Sequence, residues 1–220
     1  MKIVEIKKSI NGEINKWHQG SPAVFIRFAG CNLRTHPCKF CDTEYSLDST
    51  AGKDYSIYEL KDVLEQYNRE DVIVLTGGEP LFHVKSVMDV LNLVYRMKFR
   101  KVVIETNGTL SPKGVIDAFP EVNIVMDYKL MSSGNQHLMV TDNFLCLRSS
   151  DFIKFPVENM FDMDMAISVK NILLREISCK MAISPIFKDG LTWSSKELVK
   201  ETRDNGFILS VQIHKILECY

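Results

Sequence analysis

The sequence predicts an α/β fold in the form of a partial (β/α)6 barrel, similar to part of a TIM barrel. Short apolar, β-branched runs alternate with stretches whose apolar residues have helical spacing, which indicates parallel strands joined by right-handed crossovers. Roughly six such units are present, too few for the closed eight-fold barrel. A doubly wound open sheet is the alternative that the pattern leaves open. The 220 residues, 45% of them hydrophobic, suit one domain with a substantial core.

Each predicted strand is a short apolar run, and each predicted helix is a longer, partly polar stretch. The predicted strands lie near residues 24–28, 72–75, 102–105, 122–127, 152–156, 181–185 and 208–213. The predicted helices lie near residues 56–68, 84–97, 112–118, 163–176 and 194–204. One helical face, for example, is shared by Val87, Val90, Leu91 and Val94. The connection around residues 132–147 has no clear pattern.

Polar, glycine-rich or charged segments lie at the ends of the predicted strands. They begin at Cys31, Thr76, Glu105, Asp127, Ser184 and Gln212. Because the carboxyl ends of parallel strands meet at one edge of a sheet or barrel, we expect these segments to lie together. The sequence therefore predicts one ligand site at that edge.

Three cysteines, Cys31, Cys38 and Cys41, lie in the segment after the first predicted strand. Three thiolates do not complete a structural tetrahedral zinc site, but they can hold an iron–sulfur cluster in which one iron stays open. His36 is a rival ligand, so a zinc site made of the three cysteines and His36 is the main alternative. A metal site is favoured over disulfides because the chain shows no secretion signal.

The bulk properties argue against several classes of function. A formal net charge of −1 gives no support to binding nucleic acid or an anionic membrane surface. No apolar run approaches the ~20 residues that cross a bilayer, and the charged N-terminus, MKIVEIKK, does not resemble a signal peptide. We therefore expect a cytoplasmic protein with neither a nucleic-acid nor a membrane partner. The other cysteines are expected to be buried small hydrophobic residues: Cys146, Cys179 and Cys219.

The three cysteines, together with the Gly-Gly-Glu-Pro segment at residues 77–80, resemble the radical S-adenosylmethionine superfamily. The resemblance implies that Cys31, Cys38 and Cys41 bind a [4Fe–4S] cluster whose open iron chelates S-adenosylmethionine. It also implies that the segment at residues 77–80 contacts the amino group of this cofactor and that Phe40 packs on its adenine. The first cysteine interval has six residues where the superfamily usually has three, and we expect the additional residues to bulge outward.

Further segments recur in the same order in the 7-carboxy-7-deazaguanine synthase family, and this similarity spans nearly the whole chain. They are Asn11-Gly-Glu13, Pro22 to Cys31, Cys41-Asp-Thr43, Glu105-Thr-Asn-Gly108, Asp127-Tyr-Lys129 and Gln212-Ile-His-Lys215. The resemblance implies a radical carbon–nitrogen lyase that converts 6-carboxy-5,6,7,8-tetrahydropterin to 7-carboxy-7-deazaguanine with loss of ammonia. It also implies Mg²⁺ as a third cofactor, beside the cluster and S-adenosylmethionine.

The resemblance assigns roles to matching positions around a cluster loop at residues 31–43 and an N-terminal substrate-binding extension. Thr43 corresponds to the Mg²⁺ ligand. The implied cofactor-binding residues are Phe40, Gly77, Gly78, Glu79, Asp127, Tyr128, Lys129 and Ser184. The implied substrate-binding residues are Gly12, Glu13, Ile14, Arg27, Thr76, Gln212 and His214. The chemistry is suitable, because Arg27 can pair bidentately with a carboxylate and Glu13 can accept hydrogen bonds from an aminopyrimidinone edge.

Structural roles are alternatives for three of these residues. Arg27 would form an ion pair with Glu105 or Asp127, Thr43 would be a cap or turn residue, and His214 would be a hydrogen-bonded core histidine. At the level of function, the alternatives are an enzyme that installs a glycyl radical on a partner protein and a zinc-stabilised binding module. We also expect a flavodoxin- or ferredoxin-like reductant and a homodimer.

Overall fold

The computed structural model describes residues 1–173, 175–187 and 190–218. Its strands are β1 (Lys2–Ile10), β2 (Pro22–Phe28), β3 (Lys53–Asp54), β4 (Val72–Gly77), β5 (Val102–Thr106), β6 (Asn123–Asp127), β7 (Phe152–Val157), β8 (Lys180–Pro185) and β9 (Ile208–Leu209). They form one nine-stranded sheet in the order β3-β1-β2-β4-β5-β6-β7-β8-β9. Neighbours from β2 to β9 are parallel, whereas β1 pairs antiparallel with β2 and β3. The sheet is not closed within the described residues, so the predicted open, partial barrel is confirmed.

Helices connect the parallel strands and form the main core with them. They are α1 (Ile57–Leu64), α2 (Val84–Arg96), α3 (Lys113–Ala118), α4 (Thr141–Leu145), α5 (Met160–Leu173), α6 (Ser195–Asp204) and α7 (Ile213–Ile216). Because successive side chains of a strand point to opposite faces, β4 contributes to two apolar clusters. Ile73 and Leu75 belong to the main core with the helices, whereas Val72 and Val74 pack on the other face of the sheet, against Trp17.

Strand β1 was absent from the sequence-based prediction. It pairs with β2 from Ile3 to Ile10, and its charged residues had masked the apolar pattern. The structure explains these charges: Lys7 and Lys8 are exposed, and Glu5 lies opposite Arg27 on β2, where the two form an ion pair. Opposite charges facing each other across a strand pair stabilise the sheet.

The predicted last strand, residues 208–213, is wrong beyond Leu209. Two residues of β9 pair with β8, Ser210 N donates to Ile183 O at 2.8 Å, and the chain then turns into helix α7. Ile213 N donates to Gly12 O at 3.2 Å instead of continuing the ladder, so residues after Leu209 cross towards the N-terminal loop.

The other predicted elements need smaller corrections. The connection at residues 132–147 contains short 3-10 turns and α4, and α5 begins earlier than predicted, at Met160. Helix α5 ends at Leu173, and residues 175–176, which were predicted to belong to it, form a turn. Residue 174 and Cys219 lie outside the described residues. Cys179 is buried and Cys146 is half-buried. No helix among the described residues is long and apolar enough to cross a membrane.

Candidate active site

A cavity of about 560 Å³ lies at the carboxyl ends of the parallel strands. All but three of the predicted site residues line it, including residues separated by most of the chain such as Gly12 and His214. The exceptions are Ile14, Glu79 and Tyr128. The fold therefore gathers at one site nearly every polar strand end that the sequence singled out, as expected for parallel strands.

The three cysteines of the cluster loop all line this cavity. Leu33 N donates to Cys31 Sγ at 3.4 Å, and Asn135 Nδ2 donates to Cys38 Sγ at 3.5 Å. Burial raises the pKa of the Cys31 thiol to about 11, so binding a metal there requires the loss of its proton. Amide donors aimed at sulfur suit a thiolate ligand, so these three residues fit an iron–sulfur cluster.

The additional residues of the first cysteine interval bulge outward. Residues 34–37 are exposed, and the segment is anchored by Asn135 Nδ2, which donates to His36 O at 3.1 Å. The His36 ring lies beside Thr35 Oγ1, at 3.2 Å from Nδ1. Among the described residues, no three His, Cys, Asp or Glu side chains are placed to hold a single metal ion.

Gly77 and Gly78 bring the end of β4 against the backbone that carries Cys31. A Cβ at Gly77, whose φ is +151°, would lie 2.3 Å from Phe28 O. A Cβ at Gly78 would lie 2.3 Å from Gly30 O. Real Cβ contacts of this length do not occur, so the close approach requires glycine at both positions.

The Glu79 side chain does not face the cavity, contrary to prediction. It is fully buried and accepts hydrogen bonds from Leu81 N at 2.9 Å, Thr106 Oγ1 at 2.7 Å and Asn107 N at 2.6 Å. Burial raises the pKa of Glu79 to about 7, against the effect of these donors. Through these hydrogen bonds, Glu79 connects the loop after β4 to the end of β5 and so fixes the backbone next to Gly77 and Gly78.

Ile14 and Tyr128 are also corrected to structural positions. Ile14 packs against the apolar cluster that contains Trp17, and its backbone N donates to Ser210 Oγ at 3.1 Å. The Tyr128 ring packs against Phe144 and Phe155, with ring centroids 5.1 and 5.7 Å apart. Both side chains belong to the apolar packing around the site and do not line the cavity.

A buried charge network, centred on Lys154 of β7, runs along the cavity wall. Lys154 Nζ pairs with Glu13 Oε2 and, at 3.2 Å, with Asp127 Oδ1. The other Asp127 oxygen lies 2.6 Å from Lys129 Nζ, and Gln212 Nε2 donates to Glu13 Oε1 at 2.5 Å. Burial opposes the charge on Lys154, but attraction by Asp127 and Glu13 outweighs it and holds the pKa of Lys154 above its ordinary value.

Glu105 completes this network and, like Lys154, was not predicted as a site residue. Burial, reinforced by the nearby negative charge of Glu13, raises the pKa of the Glu105 carboxyl to about 7. Thr76 gives it a side-chain hydrogen bond. The only sequence signal for Lys154 was a lysine inside an otherwise apolar strand, because such a side chain needs a buried counter-ion.

Arg27 has a structural partner, but not one of the two considered from the sequence. Its Nε lies 2.7 Å from Glu5 Oε1, which also accepts a hydrogen bond from Tyr45 OH at 3.1 Å. The guanidinium lines the cavity and lies over the Tyr45 ring, 5.9 Å from its centroid. Since this ion pair uses Nε, Glu5 orients the guanidinium plane at the cavity wall.

Thr43 and His214 line the same cavity. Thr43 precedes a 3-10 turn, but its side chain makes no capping hydrogen bond, and Oγ1 lies 3.9 Å from Cys41 Sγ. The His214 ring packs where a Cβ of Gly12 would be, 1.9 Å from Nδ1, so any larger residue at position 12 would displace the imidazole. Burial holds the pKa of His214 below its ordinary value, which favours the neutral imidazole.

Comparison with known proteins identifies the superfamily to which this protein belongs. The model of the Radical SAM superfamily matches residues 25–132, which contain the three cysteines and the glycine pair. Fold, cysteine loop and family match together define a radical S-adenosylmethionine protein, whose members bind a [4Fe–4S] cluster and S-adenosylmethionine.

Similar curated proteins identify the family within this superfamily. The 7-carboxy-7-deazaguanine synthase of Clostridium acetobutylicum is 34% identical over 98% of this chain and 95% of its own length. The enzyme of the same name from Methanospirillum hungatei is 33% identical over 99% and 85%, and that from Thermoplasma acidophilum is 35% identical over 76% and 75%. The chain belongs to the 7-carboxy-7-deazaguanine synthase family. This assignment favours a small-molecule reaction over activation of a glycyl radical on a protein.

Proposed function

We propose that this protein converts 6-carboxy-5,6,7,8-tetrahydropterin to 7-carboxy-7-deazaguanine with loss of ammonia. The observation that carries the proposal is one cavity lined both by three cysteines and by the charged side chains of Arg27, Glu13 and Lys154. We call the part lined by the cysteines the cofactor end and the part lined by these charged side chains the substrate end. When bound, the [4Fe–4S] cluster and S-adenosylmethionine supply the radical chemistry that abstracts a hydrogen atom. The chain itself binds, orients and encloses the reactants.

At the cofactor end, the chain supplies ligands and close backbone approach. Cys31, Cys38 and Cys41 would hold the cluster, and the backbone at residues 77–78 comes close because no side chain intervenes. Phe40 offers an aromatic face to the adenine. We assign further cofactor contacts to cavity-lining polar residues: Asp127, Lys129 and Ser184.

At the substrate end, the chain supplies charge and oriented hydrogen-bonding groups. Arg27, held through Nε by Glu5, would bind the substrate carboxylate. Glu13 would accept hydrogen bonds from the amino-pyrimidinone edge, with its oxygens fixed by Lys154 and Gln212. Neighbouring contacts are assigned to the cavity-lining residues Gly12, Thr76 and His214.

We also propose Mg²⁺ as a cofactor at Thr43. Its hydroxyl lines the cavity and caps no helix, and a hydroxyl oxygen is a hard ligand of the type that Mg²⁺ accepts. A single protein ligand suits an ion that usually retains several waters and takes the rest of its ligands from the substrate.

The remaining parts of the proposal concern organisation and partners. The residues before β2 form a substrate-binding extension of one domain, since β1 joins the sheet and residues 12–13 line the cavity. A flavodoxin- or ferredoxin-like protein would reduce the cluster, and two chains would form a homodimer. Five described cysteines without disulfides suit a reducing compartment such as the cytoplasm.

The test is an anaerobic assay of the reconstituted protein with S-adenosylmethionine, dithionite and the tetrahydropterin, with and without Mg²⁺. We expect the deazaguanine absorbance to appear, and to appear faster with Mg²⁺. Cleavage of S-adenosylmethionine to 5′-deoxyadenosine without any deazaguanine would exclude the proposed substrate. A product rate that does not depend on Mg²⁺ would exclude the metal alone.

A further inference from the structure

The segment at residues 211–217, which we call the C-terminal bridge, joins two loops that line the cavity on different elements. One is the loop between β1 and β2, which carries Gly12 and Glu13 of the substrate end. The other is the cluster loop, which carries the cysteines and Thr43. Residues 212, 214 and 215 of the bridge themselves line the cavity.

Several hydrogen bonds attach the bridge to the β1–β2 loop. Ile213 N donates to Gly12 O at 3.2 Å, and Gln212 Nε2 donates to Glu13 Oε1 at 2.5 Å. In the opposite direction, the Gln19 side chain donates to Val211 O. A ligand that binds Glu13 or His214 therefore contacts groups that also determine where the bridge lies.

One ion pair attaches the bridge to the cluster loop. Lys215 Nζ lies 2.5 Å from Asp42 Oδ2. The Lys215 side chain is only 11% exposed, whereas the Asp42 side chain is 51% exposed, so the pair is buried on the side of the bridge. Asp42 stands between Cys41 and Thr43, so its backbone is shared with a proposed cluster ligand and the proposed Mg²⁺ ligand.

We propose that the Asp42–Lys215 ion pair is a positioning device that couples occupancy of the substrate end to the geometry of the cofactor end. The proposal rests on the proposed function. A bound pterin would order the bridge through Glu13 and His214, and Lys215 would then hold Asp42, and with it Cys41 and Thr43, in the productive arrangement. Without the pair, the cofactor would be cleaved in a site where the substrate is less well aligned.

A second ion pair in the same region provides a matched control. Arg34 Nη2 lies 3.1 Å from Asp48 Oδ2, with the two side chains 56% and 44% exposed. Arg34 lies in the exposed bulge of the cluster loop and Asp48 lies beyond that loop, and neither lines the cavity, so their pair does not connect the cluster loop to the C-terminal bridge. Exposed pairs of this kind contribute little to stability.

The test compares Lys215→Met, Asp42→Asn and the double variant with the wild type and with Arg34→Gln. One readout is the ratio of 5′-deoxyadenosine to deazaguanine at saturating pterin, at equal iron content. The other is hydrogen exchange of the backbone amides at residues 213–217, with and without pterin. Each single variant should raise the ratio about five- to tenfold and lose the pterin-dependent protection, whereas Arg34→Gln should match the wild type.

The double variant decides whether the two residues act as a pair. If they do, it is no worse than either single variant, because one interaction can be lost only once. Effects that multiply in the double variant, or single variants with wild-type coupling and protection, would overturn the proposal. A wild type that makes no deazaguanine would instead contradict the proposed function. Should Asn at position 42 impair cluster assembly, Lys215→Met, on a separate segment, still gives the answer.

Discussion

The two ends of the cavity are built by different physical means. The cofactor end depends on close backbone contact and on neutral amide donors: glycines at residues 77–78, amides directed at Cys31 and Cys38, and a Glu79 carboxylate enclosed by donors. The substrate end depends on charge, with Lys154 paired to Glu13 and also to Asp127, the acidic residue assigned above to the cofactor. Steric requirements are local and strict, whereas a charge network is spread over several strands.

This difference predicts different responses to substitution. At the cofactor end a single added carbon should abolish assembly of the site. At the substrate end, the loss of a charge should leave its buried partners uncompensated, and so affect both stability and binding.

The largest effect is expected for Gly78→Ala. The new Cβ would lie 2.3 Å from Gly30 O and 2.8 Å from Ser46 O, both backbone atoms that cannot move aside singly. We expect loss of the iron–sulfur absorbance after reconstitution and no product. Gly114→Ala is the control, because nothing lies within 4 Å of its Cβ, and within α3 it should stabilise the chain by about 0.5–1 kcal/mol. Normal cluster content in Gly78→Ala would contradict the steric account.

The same contrast explains which parts of the site could be predicted from the sequence. The cysteines and the glycine pair lie in short contiguous segments, so their spacing alone indicated their chemistry. Parallel strands were evident from apolar runs such as residues 72–75, which β4 buries on both faces.

The substrate end could be predicted only in part, because its contacts join residues that are far apart in sequence. Lys154 and Glu13 are 141 residues apart, and the sequence around either residue does not indicate that the other is its ion-pair partner. Glu5 was overlooked because β1 was. The first residues of the bridge, 211–213, were expected to belong to a strand because residues 208–213 have a β-like pattern. Tertiary pairing overrides such local patterns.

The next largest effect is expected for Lys154→Met. Glu13 and Asp127 would lose a shared buried cation, and breaking a buried pair in this way costs about 3–5 kcal/mol. Chemical denaturation should show this loss, together with a large fall in product formation. Lys113→Met, which removes an exposed ion pair with Asp117, should change the free energy of unfolding by no more than about 1 kcal/mol. If the two variants lost the same free energy of unfolding, the buried charge network of the substrate end would contribute no more to stability than an exposed ion pair.

A smaller and more selective effect is expected for Arg27→Lys. The charge stays, but the planar fork that Glu5 orients through Nε is lost, so a carboxylate can no longer be bound bidentately. We expect KM for the pterin to rise about 10- to 100-fold, with kcat changed much less. The cluster absorbance should be that of the wild type, since Arg27 is not one of the proposed cluster ligands. An unchanged KM would exclude Arg27 as the carboxylate ligand.

The smallest effect is a pH dependence that separates the substrate end from the rest of the molecule. Burial and the nearby charge of Glu13 raise the pKa of Glu105 from its ordinary 4.5 to about 7 in the folded chain. Folding therefore favours the protonated acid, so its stabilising contribution is complete below pH 4.5 and is lost as the pH rises towards 7.

Glu105→Gln removes this titration and keeps a neutral acceptor for Thr76. Between pH 4.5 and 7.5, the free energy of unfolding of the wild type should fall relative to that of Glu105→Gln, on the order of 1–3 kcal/mol. Glu79 titrates in both proteins and cancels in this comparison, and Glu65→Gln, on the exposed part of α1's C-terminal end, is the matched control. Parallel pH profiles for wild type and Glu105→Gln would show that Glu105 is ionised throughout this range and that its burial does not raise its pKa.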